Sequence, residues 1–420
     1  MTASAIEVAE LEGFNPFDQA YIHDPLGQIT RMHTVAPVFY YRPLDVWFIT
    51  KYSDVKRALK DAETFSNKVF GFLPPPADLG PKVKVFTDHE LLVGMDAPEH
   101  STLRQPLASV FTHRLISDME ETVRETANKL IDSFIDDREG ELMTQYSYPL
   151  TLATIVQVFG MPAEDSALFR GWTDDFMSML TFKRSADAKV DEQLPPEKVR
   201  EHWTNILGAK KYFEEYVARL RTNPEQNVFS NVLALKKPDG GNVISNESAV
   251  ANFPNLIAAG HDTTANLIGQ AFRLLSDNPD QLKLLQDDLS LVPQAIEETL
   301  RMRPSSPGAL RTTKSAVVVR GIEIPAGASV FVMLNAAGLD AEQFENPGKF
   351  DLRRTNSAQH LAFGIGRHSC IGSQLARLQA RVAINELLQR IPSARLSRSK
   401  SVTYTPSLGQ RLTTSLPIEW

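Results

Sequence analysis

Among 420 residues there is one cysteine, Cys370, and it stands in Phe363-Gly364-Ile365-Gly366-Arg367-His368-Ser369-Cys370-Ile371-Gly372. One thiol makes no internal disulfide and no multi-cysteine zinc site. As a thiolate it can be the single soft, anionic ligand of a haem iron. Such a thiolate must be kept deprotonated, and backbone N–H groups at the positive end of a helix dipole lower a thiol's pKa. Residues 373–388 carry apolar side chains at helical spacing, so the cysteine lies where a helix begins. Gly364 and Gly366 permit positive φ in a tight turn, and Gly372 lets the chain approach a flat ring. A lone cysteine is more often buried and inert. The glycine pattern around this one argues for the ligand.

A second string, Ile257-Ala258-Ala259-Gly260-His261-Asp262-Thr263-Thr264, places Gly260, Thr263 and Thr264 on one helical face. A threonine inside a helix can donate to the carbonyl four residues back, here Ala259, which loosens the ladder locally. An acid beside an alcohol, Asp262 and Thr263, is what stepwise proton transfer needs. The bland alternative is that the threonines pack and Asp262 faces solvent. His261 reads as a neighbouring polar contact. Pro254 sits inside the same helical pattern and removes one backbone N–H, which predicts a kink or a late helix start near Asn255.

Together these strings resemble the cytochrome P450 haem-thiolate enzymes, and the resemblance runs from about residue 15 to the C-terminus. It implies haem b as cofactor, with Cys370 as axial iron ligand, Phe363 beside the sulfur and His368 on a propionate. Gly364 and Gly372 belong to the same loop. Ala259 and Gly260 would line the haem face, and Asp262 and Thr263 would deliver protons during dioxygen activation. The string Asp96-Ala97-Pro98-Glu99-His100-Ser101-Thr102-Leu103-Arg104 resembles the family's propionate-binding helix through His100 and Arg104, and Arg311 matches a further propionate ligand. Glu298-Thr299-Leu300-Arg301 matches the family's structural Glu–Arg pair, with Arg354 as the third member. That network would serve folding around the haem. One departure is Ala336-Ala337-Gly338-Leu339-Asp340, where many relatives have Asn-Arg-Asp; Leu339 cannot make the arginine's ionic contacts.

The elements that must position these groups read as mainly α with a small β region, the cytochrome P450 fold. The haem would lie between the oxygen-activating helix and the cysteine-loop helix. A single haem domain is expected over residues 1–420, with an N-terminal tail at about 1–14 and a helical body at about 98–300. Strand-rich parts are expected near 36–50, 315–335 and 400–420. The net charge of −7 disfavours a nucleic-acid role. Residues 1–18 hold no apolar run, so neither a signal peptide nor a membrane anchor is expected. One cysteine fits a reducing compartment, and the expected location is cytoplasmic.

The resemblance therefore implies a monooxygenase, placing one oxygen atom of O2 into a small or medium apolar or aromatic substrate by hydroxylation or O-dealkylation. Expected pocket walls are Val69, Phe70, Leu91, Ala258, Gly308, Ala309, Leu310 and Leu408, a mostly apolar set with no obvious charge clamp. Parts of the chain look like haem domains of self-sufficient bacterial fusions, yet there is no Gly-rich flavin motif and no cysteine cluster. Electrons are expected from a separate ferredoxin and its reductase, met by a basic face of Arg104, Arg114, Arg377 and Arg381. Two other readings stay open: a haem-binding sensor or carrier without turnover, and a peroxide-driven peroxygenase. The Asp262–Thr263 pair favours the monooxygenase, because a sensor needs no proton relay.

Overall fold

The computed structural model describes residues 11, 13–89, 91–182, 194–405 and 407–420. The described residues fall into two compact units, one within Met1–Ser66, Glu120–Thr151 and Asp262–Trp420, the other within Asn67–Met119 and Leu152–His261. Helices dominate both, and the strands form small sheets. The tail expected at 1–14 lies largely outside the described residues.

The first unit holds a five-stranded sheet in the order Val38–Tyr41, Val46–Ile49, Ser329–Met333, Gly308–Thr313, Phe65–Ser66. Only the pairing of Val46–Ile49 with Ser329–Met333 is parallel; the others are antiparallel. Two hydrophobic, β-branched runs far apart in the chain thus meet edge to edge, as β-rich segments can. The strand Gly308–Thr313 was not evident in the sequence, because its Gly-Ala-Leu-Arg-Thr-Thr run is short and has no clean alternation. Its register is set by packing. A Cβ on Gly308 would stand 2.4 Å from the Phe331 ring, so only glycine fits there. The sheet's core combines Val38, Ile49, Phe65, Val330 and Val332 with Val55 and Leu59 from the helix Tyr52–Lys60. Each such fully buried side chain contributes about 1.5–3 kcal/mol by leaving water.

That helix begins at a residue without a capping side chain of its own. Its first N–H, on Tyr52, donates to Asp340 Oδ2 at 2.9 Å, and Lys51 Nζ reaches Asp340 at 3.1 Å and Glu342 at 2.7 Å. A distant carboxylate therefore caps the helix, as an anion near a helix N-terminus should. Burial works against the charged form of Asp340, but hydrogen bonds from the Tyr52 and Glu342 N–H groups and from Lys51 outweigh it and lower its pKa. Leu339, the departure from the family pattern, is 5% exposed and belongs to the core. Ion pairing in this stretch is carried by its neighbour Asp340.

The small residues Ala336, Ala337 and Gly338 are all fully buried in the short helix Leu334–Gly338. A Cβ on Gly338 would fall 1.9 Å from the Arg301 carbonyl oxygen, so backbone meets backbone there. The Gly338→Ala variant is expected to lose about 3 kcal/mol or more, since neither backbone can yield without moving the Glu298–Arg301 helix turn. Thermal denaturation against wild type measures it, and an unchanged midpoint would show that the two backbones can separate freely.

The second unit contains helices Glu99–Val110, Ser166–Met179 and Pro196–Thr222, and the strand pair Phe70–Phe72 with Leu180–Phe182. Trp203 is fully buried and its indole N–H donates to the Leu73 carbonyl at 3.0 Å. Phe159, Phe229 and Phe253 stack face to face in succession, at 4.0 and 3.7 Å between centroids.

The long helix Asn246–Asp277 contributes residues to both units. Ser245 Oγ accepts from Ser248 N at 3.1 Å and starts it. Asn278 before Pro279 ends it, since the residue before proline avoids the helical region. The late start expected at Asn255 is corrected: the helix begins at Asn246 and continues without a break through Pro254. Proline removes only its own N–H and crowds one carbonyl. Two neighbouring carbonyls receive side-chain amides, Asn252 Nδ2 donating to Ser248 O at 3.0 Å and Asn255 Nδ2 to Ala251 O at 2.8 Å.

Candidate functional site

In the first unit the cysteine loop is a closed turn. Cys370 N donates to the Phe363 carbonyl at 2.8 Å, Gly364 N to Leu361 O at 2.8 Å and Ser369 N to Gly366 O at 3.2 Å. Gly364 has φ +64 and Gly366 φ +82, left-handed values that an L side chain resists. A Cβ on Gly366 would also stand 3.3 Å from the Leu59 carbonyl. The helix Ser373–Arg390 starts just after, with Gly372 as its N-cap. Cys370 is exposed, three residues ahead of that positive helix end. A Cβ on Gly372 would meet nothing within 4 Å, so the loop faces open space there.

Behind the loop lies a cluster that the sequence did not reveal. The Arg377 guanidinium sits 4.7 Å from the centre of the Phe363 ring and donates to Glu297 at 2.6 and 3.0 Å. His360 Nε2 lies 3.2 Å from the same carboxylate, and its Nδ1 accepts from Ala362 N at 3.1 Å. Burial acts to raise Glu297, yet the hydrogen bonds and charges of His360 and Arg377 bring it down to about 2. Phe363 thus packs against the Arg377 guanidinium and, edge-tilted at 5.9 Å, against the His360 ring. Arg381 donates to Glu120 at 2.5 and 3.2 Å. Arg377 and Arg381, expected on a basic face, each have a carboxylate in hydrogen-bond contact that offsets part of that charge. Arg114 in the second unit is 92% exposed and only 3.8 Å from Asp118, a looser pair.

Glu298, Arg301 and Arg354 come together. Arg301 grips Glu298 with two hydrogen bonds, 2.7 and 2.8 Å, and Arg354 Nε donates to the same carboxylate at 3.0 Å. Arg301 also donates to the Gly338 and Pro347 carbonyls, both at 2.7 Å. Glu298 and Arg301 have no exposed side-chain surface. A bidentate pair whose remaining donors all find carbonyls is the condition under which a buried ion pair is tolerated.

Of the four cationic groups expected on propionates, Arg311 and His368 lie in the first unit and His100 and Arg104 in the second. Arg311 is 6% exposed on the strand Gly308–Thr313, opposite Val330. His368 is half-buried in the turn Gly366–His368. His100 is 1% exposed and Arg104 half-buried, one turn apart on the helix Glu99–Val110.

On the long helix, Ala259 is exposed, Asp262 is 5% exposed and Thr263 half-buried. Gly260 packs closely on a neighbouring side chain. Its missing side chain makes room for Ile155, whose Cδ1 would stand 2.8 Å from an added Cβ. His261 accepts from Arg170 Nη1 at 3.3 Å, and burial together with that guanidinium pushes its pKa down to about 3. It is a neutral polar contact, as the sequence had it.

The turn at Thr263 is also held from outside. Ser305 Oγ donates to the Thr263 carbonyl at 2.7 Å, and Asn266 Nδ2 donates to Ser305 Oγ at 3.0 Å. Asn266 Oδ1 accepts from Thr413 N and Oγ1, each at 2.9 Å, and Gln270 Nε2 donates to Thr413 Oγ1 at 2.7 Å. Asn266 stands three residues after Thr263 on one helix face, a signal the sequence contained. Ser305 carried none, since only tertiary structure brings it near.

The expected pocket walls divide between the units. Val69, Leu91 and Ala258 are buried in the second, and the Phe70 side chain lies outside the described residues. Gly308 and Leu310 are buried in the first, where Ala309 and Leu408 are half-buried. Leu408 lines a recess with Pro307, Phe331 and Met333.

The donor set fits a thiolate-bound haem. An exposed cysteine stands on a loop closed by backbone hydrogen bonds, just ahead of a helix N-terminus. Among the described residues no three His, Cys, Asp or Glu side chains gather to hold a metal ion.

The comparisons agree with the geometry. The family model described as Cytochrome P450 matches residues 19–394. Cytochrome P450 107B1 of Saccharopolyspora erythraea is 33% identical over 402 residues, covering 91% of each protein. Vitamin D(3) 25-hydroxylase of Pseudonocardia autotrophica is 34% identical over 357 residues, covering 84% of this chain and 82% of the relative. The structure of cytochrome P450 CREJ with (4-ethylphenyl) dihydrogen phosphate superposes with a TM-score of 0.87 at 25% identity, over 98% of this chain and all of that one, 100%. The closed cysteine loop, the mainly α fold and these matches lead to one conclusion: the chain belongs to the cytochrome P450 family, the haem b monooxygenases.

Proposed function

We propose that this monooxygenase places one oxygen atom of O2 into a small or medium apolar or aromatic substrate, by hydroxylation or O-dealkylation, with electrons from a separate ferredoxin and reductase. The observation that carries the reading is the exposed thiol of Cys370 on its closed loop, together with the Asp262–Thr263 pair on the long helix. Cys370 would hold the haem iron, with Arg311, His368, His100 and Arg104 on the propionates. When bound, the haem supplies the binding and reduction of dioxygen. Thr263 would then hand on protons from its hydroxyl, and Asp262, almost wholly buried, would resupply them. The Glu298–Arg301–Arg354 network would keep the fold around the haem in register.

The apolar substrate class rests on the walls themselves, which carry aliphatic and aromatic side chains at Leu408, Phe331 and Met333. One relative is named for vitamin D, an apolar compound, and one neighbour holds a ligand with an ethylphenyl group. A cytoplasmic location fits the single cysteine. Among the described residues no helix is long and apolar enough to cross a membrane.

The test is NADPH consumption by the holoenzyme with surrogate ferredoxin and reductase, across a panel of small aromatic and aliphatic compounds. Consumption dependent on one of them, with an oxygenated product, supports the proposal. Binding without consumption would make the chain a sensor, and product from peroxide alone a peroxygenase. Thr263→Ala is expected to keep NADPH consumption within a few-fold while product per NADPH falls by about tenfold and peroxide rises. Unchanged coupling would remove Thr263 from the proton path. Ser305→Ala is expected to give a milder version, about two- to threefold less product per NADPH, because one hydrogen bond to the Thr263 carbonyl is lost. Coupling equal to wild type would show that this turn holds without Ser305.

A further inference from the structure

Beside Leu408 the first unit buries a cation that the reading above does not use. Arg411 is 3% exposed, and its backbone is fixed by the N–H donating to Ser305 O at 2.7 Å. Its side chain lines the Leu408 recess together with Tyr21 and Phe331, around unfilled space of about 20 Å³. Among the described residues, Arg411 Nη1 is buried and has no hydrogen-bond partner, and no carboxylate lies within ion-pair distance of the guanidinium. Its charged neighbours add to the imbalance. Arg273 and Arg303 stand near, against the carboxylates of Asp24 and Asp277. Arg273 is answered by Asp277 at 3.4 Å, and Arg303 donates to the His23 carbonyl at 2.9 Å. Burial first, then Arg273, pushes Arg411 down to about 10, while Tyr21 and Asp24 act the other way.

A buried guanidinium with an unanswered donor is unfavourable unless an anion reaches it. The recess has room for one water-sized group, which suits a single oxygen of an oxyanion. A second donor faces it. The Tyr21 hydroxyl accepts from Asn335 Nδ2 at 3.5 Å, which leaves its O–H to give. Burial keeps that hydroxyl protonated, raising its pKa against the lowering by Asn335 and Arg411. The rest of the lining, Phe331, Met333 and Leu408, is apolar.

We propose that the Arg411 guanidinium and the Tyr21 hydroxyl anchor the oxyanion of an otherwise apolar substrate, a carboxylate or a phosphate monoester, and so select acids over their neutral analogues. The proposal rests on the monooxygenase reading and names the substrate class of that same site. It also amends the expectation of a pocket without a charge clamp, because the clamp lies near the end of the chain and only folding brings it beside Tyr21 and Pro307.

The experiment is calorimetric titration of the holoenzyme with para-ethylbenzoate, its methyl ester and para-ethylphenyl phosphate, with sodium acetate and inorganic phosphate as competitors. Wild type is expected to bind at least one of the two acids about tenfold tighter than the ester. Which acid wins separates the carboxylate from the phosphate monoester. Arg411→Gln should abolish that preference, Tyr21→Phe should reduce it, and Arg411→Lys should restore part of it. Equal binding of acid and ester by wild type, no binding of either, or an acid preference that survives Arg411→Gln would overturn the anchor. Should Arg411→Gln fail to fold, Tyr21→Phe and the competitors decide: an intact preference in Tyr21→Phe with no competition from either anion sinks it. A thiolate-type carbon-monoxide spectrum and oxidation of a neutral aromatic would persist if only the anchor were wrong, whereas their absence would point to the monooxygenase reading.

Discussion

Cys370→Ser is expected to abolish the thiolate signature in the reduced, carbon-monoxide-bound spectrum and, with it, turnover. Serine is nearly isosteric, and the bond that closes the loop, Cys370 N to the Phe363 carbonyl at 2.8 Å, uses backbone atoms that the substitution leaves in place. The fold should therefore survive, and circular dichroism with a melting curve would check that it does. What changes is the ligand. A hydroxyl near neutral pH is neutral and hard, and it cannot push electron density onto iron as a thiolate does. Because the chain has no other cysteine, no second thiol can take over. A variant that kept the thiolate-type band would mean that the sulfur signal comes from outside the protein, and the assignment of Cys370 would fall.

Glu298→Gln is expected to be the most damaging isosteric change in the fold. Glu298 has no exposed side-chain surface and answers two guanidiniums, Arg301 at 2.7 and 2.8 Å and Arg354 at 3.0 Å. It also accepts from Asp351 N at 3.1 Å. Glutamine keeps the shape, turns one acceptor into a donor aimed at an arginine, and removes the only negative charge that the described residues place within the cluster. Breaking one partner out of a buried ion pair costs about 3–5 kcal/mol, and here two cations lose their partner at once. Set against a total stability of about 5–15 kcal/mol, that is enough to unfold much of the protein or deprive it of haem. Soluble yield, haem content per chain and the thermal midpoint measure it. Wild-type values for all three would show that the carbonyls around Arg301 suffice. Partial rescue by Glu298→Asp, which keeps the charge at the wrong reach, would assign the loss to charge.

The cysteine loop was legible because its function depends on local backbone geometry. Positive φ at Gly364 and Gly366 and a helix start at Ser373 are written in neighbouring residues. The Glu298–Arg301 pair was legible for a similar reason, being three residues apart on one helix. Pro254 misled about the helix start because proline removes only one N–H, which the rest of a long helical ladder tolerates. The neighbour that fills the space beside Gly260, Ile155, was not legible, because a missing side chain leaves room on a helix without saying which residue takes it.

Sequence by itself determined the chemistry on offer: one thiol at a helix start, an acid–alcohol pair on a helix, and a mainly α chain with a few β-branched runs. These depend on contacts within a few residues, where spacing and geometry are nearly the same thing. Tertiary structure decided which charges are partly offset by a partner. It paired Arg377 with Glu297 and Arg381 with Glu120, tied Ser305 to Thr263, capped a helix with Asp340 and left Arg411 facing a recess. The physical reason is that a charge takes its energy from what lies within a few ångströms, and most of those neighbours are far away along the chain.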